Sequence, residues 1–594
     1  MIAERLQALR NYMASKNLDA FIIPSTDPHQ SEYVADYWKL REYFSGFTGS
    51  AGTLIVTQNI AGLWTDSRYF LQFEDECKHT EVQLCKQSIP HAPEHVAWLC
   101  DLLNENAVIG VDYRQFSKSQ IDYILSHTTQ KQIQLQNEPH FAKDIWIDRP
   151  ELPNFAIDVH PLEFSGETTA SKLAKVQAAI EKHQADYYLF SALDEIAWLF
   201  NIRSRDVDYT PLVTAYALVG KEQSFLFCNT QRFSESSIAA FKQLNITITE
   251  YDAIATLLPG LSRQQKIITD AASLNYACFE AVEGQFMFQN SLVKELKAIK
   301  NAVEIEGAKN CMRKDGVALT KFFIWLEQEL EKRTISEYEI GRKLDSFRQQ
   351  QEYYTGESFA AIVGYKGNGA IIHYTAPEVN SSMVHKEGIL LIDSGAQYKD
   401  GTTDITRTIW LGGIPSTKIK TAYTGVLKGY IELEQLQFPQ GTTGAQIDAF
   451  ARVHLWKNGL NFPHGTGHGI GSFGMVHEPA QGFAIGPTTV RGTTPHLANQ
   501  LTTIEPGCYV PHQFGIRTEN IVLSKVVNET DFGTFLGFEA LTLCYIDTQL
   551  LAVEMLTASE IGWINQYHKL VVEKLSPFLN TEENKWLQQK CKAI

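Results

Sequence analysis

Positive charge is scarce in this chain. Lysine and arginine number 52 against 68 acidic residues over 594 positions, leaving a net charge of −16. Such a body repels nucleic acid and anionic membrane surfaces, so neither is expected as a partner. Long apolar runs are missing too. No stretch approaches the roughly 18 consecutive apolar residues that cross a bilayer. Residues 1–10 mix charges into an amphipathic pattern rather than the continuous apolar run of a secretory signal. Cysteine is sparse and scattered. The nine, at 77, 85, 100, 228, 278, 311, 508, 544 and 591, form no Cys-x-x-Cys pair, which excludes a cysteine zinc site and argues against a disulfide framework. Reduced thiols in a cytoplasmic protein are the expectation.

Apolar residues at 44% and charged residues at 20% are ordinary for a globular chain. The length exceeds what one hydrophobic core organises, so several domains are expected. Residues 1–153 read as an α/β unit: a helical pattern through Leu6, Leu9 and Met13, an apolar strand near 20–24, then strands near 52–57 and 62–66. The segment 148–154, with two prolines and no periodicity, reads as a linker. The same rhythm then recurs over 154–291, with a helix near 172–183, a strand near 186–190 and strands near 213–219 and 224–228. Two copies of one α/β module are expected. From 292 to 594 the pattern changes. Helices are expected over 297–332 and 336–351, strands and glycine-rich turns over 358–523, and helices again over 557–574 and 582–592.

The chemistry lies in this last region. In Gly388-Ile-Leu-Leu-Ile-Asp393 a carboxylate follows four aliphatic residues, and Asp404 lies on the next predicted strand, beyond a Lys399-Asp-Gly401 turn. The hairpin would bring the two acids together across the ladder, diagonally or directly. Glu505, ending a predicted strand 501–505, and Glu519, within 515–523, repeat the arrangement about a reversal near 511–515. Like charges on buried strands are destabilising unless a cation compensates them. Between the pairs lies Pro463-His464-Gly-Thr-Gly-His468-Gly, whose glycines bring backbone close to something in view of two imidazoles. Four carboxylates and one histidine, without thiolate, suit two divalent cations, Mn²⁺ foremost with Co²⁺ or Zn²⁺ as alternatives. The run Gly469-Ile-Gly-Ser-Phe-Gly474 fits a dinucleotide fingerprint, but no acidic residue follows about twenty positions on and no helix is expected after it, so no nucleotide cofactor is expected.

The order Asp393, Asp404, His468, Glu505, Glu519 resembles the ligand set of the methionine aminopeptidase, prolidase and aminopeptidase P superfamily. The surrounding motifs are similar to those of the long, three-domain Xaa-Pro aminopeptidases: Ile-Asp393-Ser-Gly-Ala, Thr-Asp404-Ile-Thr-Arg-Thr, His464-Gly-Thr-Gly-His-Gly, Ile-Glu505-Pro-Gly, Arg517-Thr-Glu-Asn, Asn368-Gly-Ala-Ile-Ile-His-Tyr374 and Leu63-Trp-Thr-Asp-Ser-Arg-Tyr-Phe70. This resemblance implies an α/β (α+β) chain of two creatinase-N-terminal-like domains followed by a pita-bread metallopeptidase domain with a C-terminal helical extension.

It further implies a hydrolase that removes the first residue from peptides with proline in second place, and a homodimer. Asp393 would bind one metal, His468 and Glu505 the other, with Asp404 and Glu519 shared. Glu505 would also carry the proton of catalysis. His373, His464 and His477 would line the substrate pocket, and Arg517 would support the ligands from behind. Prolidase, which cleaves Xaa-Pro dipeptides with the same five ligands, is the nearest alternative, although prolidases usually lack the middle domain. A ligand-free pita-bread binding protein is the alternative of another class.

Overall fold

The computed structural model describes residues 1–88, 92–487 and 489–594. It divides into two compact units, Met1–Pro161 with Glu167–Val293, and Leu162–Gly166 with Lys294–Ile594.

The first unit holds two six-stranded sheets of identical connectivity. In chain order one sheet comprises Ala20–Ile23, Thr53–Thr57, Ala61–Thr65, Gln83–Lys86, Val108–Val111 and Gln134–Asn137. The other comprises Tyr187–Phe190, Tyr216–Gly220, Ser224–Phe227, Ile246–Thr249, Lys266–Thr269 and Gln285–Phe288. In both, the first three strands run antiparallel in sequence, the third pairs parallel with the fourth, and the first pairs parallel with the fifth, which pairs parallel with the sixth. A 14-residue helix opens each copy, Ile2–Ser15 and Thr169–Lys182. The first strand of each sheet is apolar throughout because both its faces are covered. Phe21 and Ile23 enter one core cluster while Ala20 and Ile22 enter another, as alternation along a strand requires. The linker 148–154 has no helix or strand. Residues 162–166, which follow it, belong to the second unit, where the short helix Leu162–Ser165 contacts the long helix Ala302–Leu330.

In the second unit the long helix begins at Ala302, not at 297 as periodicity alone suggests. Asn301 caps it, accepting from the amides of Val303 (2.9 Å) and Glu304 (3.0 Å), while Glu304 accepts from the Asn301 amide. That reciprocal capping box fixes the start. Helix Glu337–Arg348 follows. The region 358–523 is not only strand and turn: Thr417–Glu434 is an 18-residue helix. It was hidden among glycine-rich segments, yet its buried Ala422, Val426, Tyr430 and Leu433 keep helical spacing.

Two of the sheets in this unit frame the candidate ligands. In one, Gly388–Ser394 pairs on one side with Ile362–Tyr365 and on the other with Ile405–Gly412. In the other, Leu501–Ile504 lies between Asn520–Thr530 and Gly467–Gly469. The hairpin expected near 511–515 turns at His512, in the left-handed region at φ 59°. Its register is continuous, from Leu501↔Leu523 to Ile504↔Asn520 and again from Gly507↔Arg517 to Val510↔Phe514. Backbone approaches closest where Gly515 meets the 3-10 turn Lys366–Ala370: a Cβ on Gly515 would lie 1.6 Å from the carbonyl oxygen of Gly369. Gly515→Ala must therefore push two backbones apart. The expected cost is about 1–3 kcal/mol of stability, read by denaturant titration against wild type. An unchanged midpoint would show that the two backbones are not pressed together there.

Candidate metal centre

The four acidic candidate ligands sit at or beside strand ends, and His468 is central in a short strand. Asp393 is the penultimate residue of Gly388–Ser394, opposite Thr406. Asp404 is two positions from that partner, the diagonal arrangement. It stands just before Ile405–Gly412 rather than within a strand. Glu505 lies one residue beyond Leu501–Ile504, and Glu519 in the break between Phe514–Arg517 and Asn520–Thr530, not inside one strand as the pattern suggested. The cause is visible in the main chain. The Glu505 amide donates to the Thr466 carbonyl (2.8 Å) and the Glu519 amide to the Thr406 carbonyl (3.2 Å), so the ladder between them is interrupted. The register on either side still sets Glu505 against Glu519.

The side chains converge. Three sets have ligand atoms within 4.8 Å of one another: Asp393 with Asp404 and Glu519, His468 with Glu505 and Glu519, and Asp404 with His468 and His477. Glu519 and Asp404 are each common to two sets. His468, on Gly467–Gly469, has Nδ1 3.0 Å from the Gly469 carbonyl. A carbonyl only accepts, so Nδ1 donates to it and Nε2 is turned towards Asp404 Oδ2 at 3.4 Å and Glu505 Oε1 at 3.7 Å. An imidazole in its neutral, metal-binding form would set a lone pair against two carboxylates there, an arrangement that a cation between them relieves. The Asp393 carboxylate makes the same point: one oxygen accepts from Arg517 at 2.5 Å, and the other, Oδ1, is buried with no hydrogen-bond partner. Four carboxylates and an imidazole nitrogen turned towards them fit two hard or borderline divalent cations.

Two of the supporting groups, Thr406 and Tyr509, are ones the sequence did not single out. Thr406 donates to Glu519 (2.8 Å) and accepts from Arg517 Nε (3.0 Å). Arg517 also donates to the Tyr509 hydroxyl (2.7 Å), which lies 2.8 Å from His464 Nε2. His464 Nδ1 is held by the Gly465 carbonyl, so Nε2 accepts from Tyr509. His477 packs edge-on against His468, ring centroids 4.3 Å apart. His373 stands half-buried in the turn after Lys366–Ala370; among the described residues neither it nor His464 belongs to a metal-sized cluster. Thr406 and Tyr509 each lie near a candidate ligand in sequence, but a threonine in a strand and a tyrosine in a hairpin carry no distinctive signal.

Burial and mutual repulsion push Asp404, Glu505 and Glu519 towards the protonated form. Glu505 is raised to about 7, by burial first and the Asp393 charge next after the opposing effect of Arg517. Asp404 and Glu519 are raised well above the ordinary carboxylate range, again by burial first and then by their neighbours' charges. The metal-free fold therefore holds protons that the unfolded chain has released. Its stability falls as pH rises from the ordinary carboxylate range through about 7. Cations take the place of those protons, so the stabilisation they confer grows over the same interval. Melting temperatures with chelator and with Mn²⁺, taken between pH 5 and 8, should diverge as pH rises. A constant separation would count against this crowding.

Fold and donor set together define a dinuclear-type metallohydrolase centre, and comparison with known proteins gives its class. Residues 306–525 match metallopeptidase family M24, and 534–594 match the C-terminal region of peptidase M24. Residues 5–136 and 148–304 each match the creatinase/prolidase N-terminal domain, in accord with the repeated sheet. A probable Xaa-Pro aminopeptidase P from Laccaria bicolor is 37% identical across 100% of this chain and 93% of the relative. Xaa-Pro aminopeptidase 1 from Dictyostelium discoideum is 36% identical across 100% and 97%. Among solved structures, the X-prolyl aminopeptidase of Caenorhabditis elegans, a cytosolic enzyme with a di-nuclear active site, superposes with a TM-score of 0.95. It is 33% identical and covers 100% of both chains. An Xaa-Pro dipeptidase from Bacillus anthracis reaches a TM-score of 0.51 at 25% identity, covering 63% of this chain and 98% of its own. The chain belongs to the Xaa-Pro aminopeptidase family of M24 metallopeptidases.

Proposed function

We propose that this chain removes the amino-terminal residue from peptides with proline in second place, using two divalent cations, manganese foremost. The convergence of four carboxylates, three of them buried, with the imidazole of His468 is the observation that carries this reading. Asp393 would hold one cation, His468 and Glu505 the other, with Asp404 and Glu519 shared between them. When bound, such a pair polarises a scissile carbonyl and lowers the pKa of water.

The chain's own groups do the rest. Glu505, half-buried where the other three carboxylates are buried, is assigned to accept a proton and release it again. The Xaa-Pro bond is a tertiary amide, so proline offers no N–H to grip, and cleavage requires protonation of its nitrogen. His373, His464 and His477 are assigned to the substrate pocket and to that transfer. His464 is held in one tautomer through Tyr509 and Gly465. Arg517 orients Asp393 and, through Thr406, Glu519. We assign three domains, 1–153, 154–291 and 292–594, and read the enzyme as a cytoplasmic homodimer. A relative described as cytosolic and the scattered reduced cysteines support the compartment.

Metal analysis of the purified protein, joined to assays of a tripeptide Xaa-Pro-Xaa and a dipeptide Xaa-Pro, tests the reading. The tripeptide should be cleaved and the dipeptide spared, with activity abolished by chelator and restored by Mn²⁺. Preference for the dipeptide would make it a prolidase, and indifference to chelation would end the proposal. Glu505→Gln should keep the fold and bind metal yet lose at least about a hundred-fold in kcat. Near-normal turnover in that variant would refute its proton-carrying role.

A further inference from the structure

The motif Asn368-Gly-Ala-Ile-Ile-His-Tyr374 contains one residue assigned to chemistry, His373, and six that the metal centre leaves unexplained. Its first and last residues share a partner. Glu337, at the start of helix Glu337–Arg348 and wholly buried, accepts from the Tyr374 hydroxyl at 2.7 Å and from Asn368 Nδ2 at 3.0 Å on each oxygen. It also accepts from the Tyr365 backbone amide at 2.7 Å. Asn368 Nδ2 lies 3.1 Å from the Tyr374 hydroxyl, closing the ring. Glu337's own amide donates to the Ser382 carbonyl.

One carboxylate thus holds the beginning, middle and end of the segment 365–374. The other side of the segment is fixed by main-chain packing, Gly369 against Gly515 and against Gly364. The two fixed sides lead directly to the metal centre. Tyr365 ends the strand whose Ile362 pairs with Asp393. Gly515 belongs to the strand that ends at Arg517, the partner of Asp393. A buried carboxylate with four hydrogen bonds in this setting does more than satisfy itself.

We propose that Glu337 is a positioning residue: through Asn368 and Tyr374 it sets the conformation of the turn that presents His373 to the substrate. The inference rests on the reading of His373 as a pocket residue. It explains why a histidine of the pocket is bracketed by an asparagine and a tyrosine whose side chains both reach the start of a helix. The Tyr374 hydroxyl has no role of its own in the reaction. It acts through the neighbouring imidazole.

A double-mutant cycle separates the alternatives. Tyr374→Phe removes one hydroxyl and leaves Glu337 three hydrogen bonds, so the fold and the metal content stay intact. It should lower kcat on an Xaa-Pro-Xaa tripeptide about ten-fold, the scale of one hydrogen bond to a carboxylate, with KM little changed. In a His373→Ala background the same substitution should have no further effect. Glu337→Gln, with metal content and melting temperature measured alongside, should give a larger loss in kcat with the same non-additivity. Equal losses from Tyr374→Phe in both backgrounds, or no loss in the wild-type background, would overturn the inference while leaving His373 in place. A His373→Ala enzyme with undiminished kcat would remove the reading of His373, and the positioning role with it.

Discussion

The constraint from which the catalytic unit takes its shape is electrostatic: Asp393, Asp404, Glu505 and Glu519 share one small volume, with the guanidinium of Arg517 bonded to Asp393. In a medium less polarisable than water, like charges at these separations repel strongly, and each has also lost its hydration. The fold meets this by putting the acids at strand ends, where the main chain can be diverted, rather than mid-strand. It surrounds them with apolar clusters on both sides, one centred on the 417–434 helix and one on the long helix and the strand Gly388–Ser394. Those clusters supply the favourable free energy against which the crowding is set. The carboxylate geometry is thus a property of the whole unit.

Main-chain carbonyls near the ligands are gripped by buried arginines, which transmits that rigidity to the centre. Arg407 donates to the carbonyls of Thr406 (3.0 Å), Glu519 (2.7 Å), Cys544 (3.0 Å) and Tyr545 (2.9 Å), and to Asn520 and the Tyr567 hydroxyl. It thereby ties the C-terminal helix Ala558–Leu575 to the backbone of Glu519. Arg348, paired with buried Asp315, holds the carbonyls of Ser394 and Gly395 immediately after Asp393. Guanidinium suits this work because its planar fork reaches several acceptors at once and stays charged when buried. Thr406 and Tyr509 then fix the side chains as the arginines fix the main chain.

The layout was legible in the sequence wherever a pattern is enforced by burial. Short unbroken apolar runs located the first strands of both N-terminal sheets, and the recurrence of helix then strand announced two copies of one module. The second acidic hairpin was legible because the residues of a hairpin keep a constant sum of positions, which puts the reversal of 501–523 at residue 512, where the structure turns. Helix Thr417–Glu434 was passed over because glycines on either side dominated the reading of that stretch. The start of the long helix was misjudged for a different reason: periodicity continues through 299–301, and only the Asn301–Glu304 capping box decides against it. Thr406, Tyr509 and Glu337 act through long-range hydrogen bonds, which leave no periodic trace. Backbone diversion at Glu505 and Glu519 is equally silent, since it depends on which carbonyl lies nearby in space.

The choice of oxygen and imidazole over sulfur follows from the same burial. All nine cysteines are free, and burial raises the thiols it affects: Cys77, Cys228 and Cys278 to about 12, Cys508 to about 11. Cys508 is the instructive case, since it lies three residues beyond Glu505 on the same hairpin. It pairs across to Ile516, and both residues enter the apolar cluster. A thiol kept neutral in that environment does not offer the thiolate that a soft cation would select. The nearby donors are carboxylates, with the His468 imidazole turned towards them by its bond to the Gly469 carbonyl. A centre built this way favours ions that accept oxygen readily and tolerate exchange of their water. That preference underlies the assignment of manganese ahead of zinc.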